Sequence, residues 1–156
     1  MDKTNALRLL DLNKIEYRTV TYDADLLESG EDIAKELKEE KERVYKTLVT
    51  VSKSAEHYVF VIPVGETLDL KKAARVTGEK EIEMIKQKEL LPLTGYVHGG
   101  CSPIGMKKSF KTYFDETVIL FDRIYVSAGK RGMQMEVDPE KLIELSGAET
   151  ADLVKG

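Results

Sequence analysis

The run Arg43-Val44-Tyr45-Lys46-Thr47-Leu48-Val49-Thr50-Val51-Ser52, followed after a polar break by Tyr58-Val59-Phe60-Val61-Ile62-Pro63-Val64, decides the fold class. Both runs are dense in β-branched and aromatic residues, which suit a pleated, half-buried surface. The segment between them, Lys53 to His57, is short and polar, as a hairpin connection is. Pro63 lacks an N–H donor and falls near the end of the second run, where a ladder tolerates it. The two runs therefore predict a central pair of strands joined as a hairpin.

Working outward, Thr4 caps a first helix whose apolar positions Ala6, Leu7 and Leu10 recur at helical spacing up to Asn13. Glu16 to Tyr22 reads as a strand. Ser29 followed by Asp32 resembles a capping box, and predicts a second helix through Leu37. Asp69 opens a third helix, with Leu70, Ala73, Ala74 and Val76 facing inward and Gly78 just past its end. A short strand around Ile82 and a short helix from Lys86 to Leu91 follow. The last third predicts strands at Val118–Phe121, Ile124–Ser127 and Met133–Val137. Asp138-Pro139 then starts a final helix that Gly147 ends. Strands and helices mix without the regular alternation of a doubly wound fold. The expectation is an α/β fold with a mixed, strongly curved, barrel-like sheet surrounded by helices.

Length and composition limit the possibilities. The 156 residues fit one domain, 1–156, and 42% hydrophobic residues supply a core. The start carries an acid and no apolar run, and no stretch approaches the roughly 18 apolar residues of a membrane span. These features, with a single cysteine, point to a cytoplasmic protein that does not engage membranes. The formal charge of −4, from 24 Lys plus Arg against 28 Asp plus Glu, argues against nucleic-acid binding driven by bulk charge. Three local basic clusters remain: Lys71, Lys72 and Arg75; Lys107, Lys108 and Lys111; and Lys130 with Arg131. Each reads equally well as solvated surface.

Four features carry candidate chemistry. Period-two geometry puts Lys46 on one face with Val44 and Leu48, and Thr47 on the other with Tyr45 and Val49. A lysine between two apolar side chains is either an edge guard against aggregation or a cation aimed into a cavity. The loop Thr94-Gly95-Tyr96-Val97-His98-Gly99-Gly100-Cys101-Ser102-Pro103-Ile104-Gly105 is rich in small residues. Its adjacent glycines allow a close backbone approach, and their N–H groups can form an anion nest. The loop fits neither a phosphate-binding Gly-Lys-Ser/Thr motif nor a dinucleotide fingerprint. Ser127, at a strand end before Gly129-Lys130-Arg131-Gly132, either donates to a ligand or caps the turn. Cys101 has no base that the sequence identifies. His57 and His98 share no ligand spacing, so no metal or cofactor is expected. No nucleophile emerges from the residues alone.

Four segments, in order, resemble the YbaK/EbsC-type aminoacyl-tRNA deacylases and the editing domain of bacterial prolyl-tRNA synthetases. They are Val44-Tyr45-Lys46-Thr47-Leu48, Leu68-Asp69-Leu70-Lys71-Lys72, the loop from Thr94 to Gly105, and Ile124-Tyr125-Val126-Ser127-Ala128-Gly129-Lys130-Arg131-Gly132. With the first helix and Thr21-Tyr22, the resemblance spans nearly the whole chain. It implies hydrolysis of the ester joining an amino acid to the 3′ end of tRNA. Cys-tRNA(Pro) and Cys-tRNA(Cys) are the nearest substrates, with the substrate's own thiol as nucleophile. Ala-tRNA(Pro) attacked by an activated water is the alternative, and a non-catalytic module binding tRNA or a synthetase is a second. By the same resemblance Lys46, Gly99 and Gly100 are the catalytic positions, the lysine holding the aminoacylated end and the loop N–H groups facing the carbonyl. Tyr22, Thr47, Ser127, Lys130 and Arg131 are substrate-binding positions. The implied partners are the tRNA acceptor end and prolyl-tRNA synthetase. Two departures fall on the pocket wall: Leu27-Glu28-Ser29-Gly30 lacks an expected phenylalanine, and Gln134 replaces an aspartate.

Overall fold

In the computed structural model, residues 3–23, Lys35 and 41–156 are described. The predicted second helix and the Leu27–Gly30 departure fall on 24–34 and 36–40, outside the described residues, with Lys35 alone assigned as helical. The other elements are α1 (Asn5–Leu12), β1 (Tyr17–Thr21), β2 (Tyr45–Ser52), β3 (His57–Pro63), α2 (Leu70–Thr77), β4 (Ile82–Met84) and α3 (Gln87–Thr94). They continue with β5 (Lys111–Asp115), β6 (Ile124–Ser127), β7 (Met133–Val137), α4 (Pro139–Ser146) and β8 (Glu149–Ala151). Short 3₁₀ turns occupy Lys41–Arg43 and Glu116–Leu120.

The hairpin forms as expected. β2 and β3 pair antiparallel with Lys46 opposite Ile62 and Thr47 opposite Val61. They sit inside a five-stranded sheet of order β4-β2-β3-β5-β8, in which β5 runs parallel to both β3 and β8. The other three strands form an antiparallel sheet of order β1-β7-β6. The two sheets meet where Val44, just ahead of β2, bridges Tyr125 of β6 in the parallel sense. The architecture is thus the mixed α/β one that the sequence predicts.

The helix ends follow their capping residues. Thr4 Oγ1 accepts from Leu7 N at 3.2 Å, and its hydroxyl donates to the Ala128 carbonyl, tying α1 to the turn after β6. Ala6, Leu7 and Leu10 fill the largest core cluster. Asp69 Oδ1 accepts from Lys71 N and Lys72 N at 3.0 and 3.1 Å, and Gly78 ends α2 in the left-handed region. Leu70 departs from expectation: it is exposed at the first turn, while Ala73 and Ala74 carry the buried face.

Two corrections concern the last third. The predicted strand Val118–Phe121 is a 3₁₀ turn, because Asp115 caps it by accepting from Thr117 N and its hydroxyl. Only Val118 of that run is buried, and Ile119 and Leu120 face solvent. The strand lies earlier, at β5, where Thr112 to Asp115 are buried consecutively. Burial on both faces erases the alternation that marks a strand in sequence.

Candidate active site

The bridge between the sheets sets the geometry of the site. Val44 and Tyr125 are partners in the parallel sense, so two residues further along each chain Lys46 and Ser127 stand at corresponding positions. Ser127 is in turn paired with Gln134 of β7, and Gln134 with Val20 of β1. Paired residues share a face. Lys46, Ser127, Gln134 and Val20 therefore form a row across four strands, next to a row of Val44, Tyr125, Glu136 and Arg18. Val44, Tyr125, Val20 and Val64 pack into one apolar cluster beside the polar members of these rows.

Lys46 also lies at a break in the backbone ladder. β4 pairs with β2 only at Thr50–Ser52, and Ile85 N donates to Val49 O at 3.3 Å. The bridge to β6 stops at Val44. Tyr45 to Leu48 lie outside both of these ladders, so Lys46 is half-buried beside a stretch of strand edge inside the fold. The edge-guard and cavity-cation readings meet at this position. Thr47 does not share the face of Lys46. It lies between Tyr45 and Val49, which belong to clusters with Ile104 and with Cys101. Among the described residues its Oγ1 is buried without a hydrogen-bond partner.

The glycine loop docks onto the turn after β6. A Cβ on Gly100 would stand 2.8 Å from Arg131 N and from Lys130 C, and 2.9 Å from Lys130 Cα. The backbones touch there because no side chain intervenes. Gly99 has φ +85°, and the Arg131 side chain lies over it, with Cγ 3.4 Å from the position of a Cβ. Gly99, Gly100, Lys130 and Arg131 are thereby brought together, the two cations exposed at the rim. Gly100 N donates to Val97 O at 2.9 Å, so this N–H is committed within the loop. Tyr96 OH donates to Ile104 O at 2.7 Å and pins the loop from below. Tyr22 joins the same end through its backbone N, which donates to Gly132 O at 2.9 Å.

The remaining polar groups divide into satisfied and unsatisfied. Ser127 Oγ accepts a long, 3.4 Å contact from Gly129 N, so it does cap the turn, and its O–H proton stays available. Glu136 accepts from Arg18 Nε at 3.1 Å and Arg43 Nη2 at 3.3 Å, and Arg18 Nη2 donates to Tyr125 OH at 2.8 Å. Burial alone would raise the Glu136 carboxyl, but hydrogen bonds with Arg18 and Tyr125 and the charges of Arg18 and Arg43 hold it below 4.5. Its stabilising effect is complete above that ordinary value and is lost as pH falls through the lower folded one. Glu136→Gln should therefore flatten the acid side of a melting-temperature profile. At neutral pH it should lower the melting temperature by roughly 3–6 °C.

Two other atoms are unmatched among the described residues: Ser102 Oγ in the loop, to which the sequence assigns no role, and Oε1 of Gln134, which the resemblance places on the pocket wall. Polarity inside an apolar run was the available signal for both, but only the fold shows that they lack partners. Lys72 and Lys111 of the basic clusters are engaged by Asp152 and Glu149, both at 2.9 Å. Among the described residues no group of three His, Cys, Asp or Glu side chains can hold a metal, and no helix is long and apolar enough to cross a membrane.

With this geometry in place, comparison with known proteins assigns the family. The aminoacyl-tRNA editing domain model matches residues 25–145. The chain belongs to the aminoacyl-tRNA editing-domain family. The reaction class of the family is hydrolysis of the ester between an amino acid and tRNA. A relative from Enterococcus faecalis, EbsC, named as a candidate Cys-tRNA(Pro)/Cys-tRNA(Cys) deacylase, is 46% identical over 97% of this chain and 93% of its own. A crystal structure of a candidate trans-editing enzyme for prolyl-tRNA synthetase superposes with TM-score 0.85 at 26% identity, covering all of both chains. The crystal structure of hypothetical protein APE2540 has the same fold, with TM-score 0.87 at 20% identity over 97% of this chain and 99% of that one.

In this editing domain Cys101 is buried among Val49, Val59 and Tyr96. Burial pushes its thiol up to about 12, with a hydrogen bond to Thr94 acting the other way. A thiol protonated at neutral pH is a poor nucleophile. Cys101→Ala is expected to keep wild-type deacylation while losing about 1 kcal/mol of stability to the vacated space. A folded variant without activity would assign the nucleophile to Cys101.

Proposed function

We propose that this chain, as a single editing domain over residues 1–156, acts in trans to remove cysteine from Cys-tRNA(Pro) and Cys-tRNA(Cys) in the cytoplasm. The observation that carries the reading is the close backbone contact of Gly100 with Lys130 and Arg131, in the turn that follows Ser127, together with a Cys101 thiol that is buried and protonated. Similarity to EbsC supports cysteine as the amino acid.

Hydrolysis without a protein nucleophile requires one from the substrate. The cysteine thiol attacks its own ester carbonyl, its proton passes to the departing 3′ oxygen, and a four-membered thiolactone leaves the tRNA for water to open. The protein contributes positioning and stabilisation of the developing oxyanion, each able to supply several kcal/mol. Lys46 supplies a fixed cation with three donors near the ester. The Gly99 end of the loop lies where backbone can approach it, since Gly100 N–H is bound to Val97. Lys130 and Arg131 are placed to meet phosphates of the acceptor strand. With a net charge of −4 the domain contacts tRNA weakly, and prolyl-tRNA synthetase supplies the discrimination between tRNAs.

The test is deacylation by purified protein of Cys-tRNA(Pro), Cys-tRNA(Cys) and Ala-tRNA(Pro). Both cysteinyl esters should be cleaved and the alanyl ester spared, and added synthetase should favour Cys-tRNA(Pro). Rapid release of alanine would replace the thiol mechanism with an activated water. No release above buffer from any ester would refute the enzymatic reading.

A further inference from the structure

Gln134 and Glu136 lie two residues apart on β7 and face the same side, yet one is satisfied and the other is not. Glu136 is held by Arg18 and Arg43. Gln134 is 5% exposed, and among the described residues its Oε1 has no hydrogen-bond partner. A buried amide oxygen without a donor is costly, and a methionine would fill similar space without that cost. The oxygen stands in the Lys46–Ser127–Gln134 row, between its strand partners Ser127 and Val20.

We propose that Gln134 Oε1 accepts a hydrogen bond from the α-amino group of the aminoacyl ester, and so reads the amino-acid end of the substrate. The inference rests on the editing reading above. The unmatched oxygen can accept from an N–H or O–H donor, and a bound substrate brings such donors. Two substrate groups near the ester qualify, the α-amino group and the ribose 2′-hydroxyl. The layout favours the first. Lys130 and Arg131 are exposed at the rim, where phosphates arrive, whereas Gln134 lies deep between β6 and β1. The group that enters furthest belongs to the amino acid.

The experiment uses hydrolysis-resistant adenosine amides: 3′-cysteinylamino-3′-deoxyadenosine, its desamino counterpart carrying 3-mercaptopropionate, and its 2′-deoxy form. Affinities are measured for wild type, Gln134→Met and Gln134→Glu, with thermal melting to confirm folding. Removing the amino group should weaken wild-type binding about tenfold. The same removal should cost nothing further in Gln134→Met, while Gln134→Glu, which keeps an acceptor, retains the discrimination. An amino penalty that persists undiminished in Gln134→Met overturns the inference. So does a 2′-deoxy penalty that vanishes in that variant, which would assign the oxygen to the ribose. Hydrolysis of Cys-tRNA by the same wild-type preparation separates the two readings. Cleavage with a persisting amino penalty removes Gln134 alone, whereas no cleavage of any aminoacyl ester removes the editing function on which it rests.

Discussion

Replacing Lys46 by methionine is expected to lower kcat/KM for Cys-tRNA(Pro) by on the order of a hundredfold or more, with little change in melting temperature. Methionine keeps a long unbranched stem on the face that Lys46 shares with Val44 and Leu48, opposite its strand partner Ile62, so the variant isolates the charge. A preorganised donor aimed at charge that develops in the transition state is worth about 10²–10³ in rate. Lys46→Arg should recover only part of this, because a planar fork does not reproduce a compact ammonium. The loss should appear in kcat if Lys46 meets the oxyanion, and in KM if it meets phosphate in ground and transition states alike. The edge-guard reading makes a different forecast. Under it Lys46→Met would leave turnover intact and promote self-association, visible by sedimentation. Turnover within threefold of wild type would remove the lysine from the mechanism.

The second large effect is expected at Gly100. An alanine there would bring its Cβ within 2.8–2.9 Å of Lys130 and Arg131 backbone atoms, which have no rotamer by which to withdraw. Either the loop or the turn has to move. Overpacking of this kind costs about 1–3 kcal/mol. The functional loss should exceed that, since a displacement of about 1 Å in a positioned site can cost a hundredfold in rate. Gly78→Ala is the control, as it has a positive φ but nothing within 4 Å of the added carbon. It should lower stability by about 1 kcal/mol and leave turnover unchanged. If Gly100→Ala and Gly78→Ala behave alike, the tight loop–turn contact is unimportant to activity.

These two positions mark how far the sequence could be read. Lys46 stood out because a charge interrupts an apolar face of period two, a signal local to one strand. The cap residues Thr4, Asp69 and Asp138 were legible for the same reason, since each acts on N–H groups two or three residues away. Gly100 is legible as a loop glycine that allows a close backbone approach, but what approaches it is not. Its φ is not positive, and its constraint comes from a backbone some thirty positions later, which no local pattern encodes. The strand β5 was missed because it is buried on both faces, and the apolar run after it was read as a strand although Asp115 curls it into a turn. The unmatched oxygens of Thr47, Ser102 and Gln134 belong to the same class. Resemblance marks Thr47 and Gln134 as pocket positions, but that their oxygens lack partners shows only once every neighbour that might serve them is known.

The cluster of Val20, Val44, Val64 and Tyr125 beside the row has a consequence for how selectivity can drift. The gap between Lys46 and Gln134 is not fixed by a single hydrogen-bonded ladder, since Lys46 belongs to one sheet and Gln134 to the other. What spaces them is the packing of these apolar side chains, acting like the jaws of a calliper. Interiors are packed densely enough that one methylene is felt. An isoleucine in place of Val44 or Val64 would reset the jaws without altering any polar group. A substitution that never touches the substrate is thus expected to change the size of amino acid accepted.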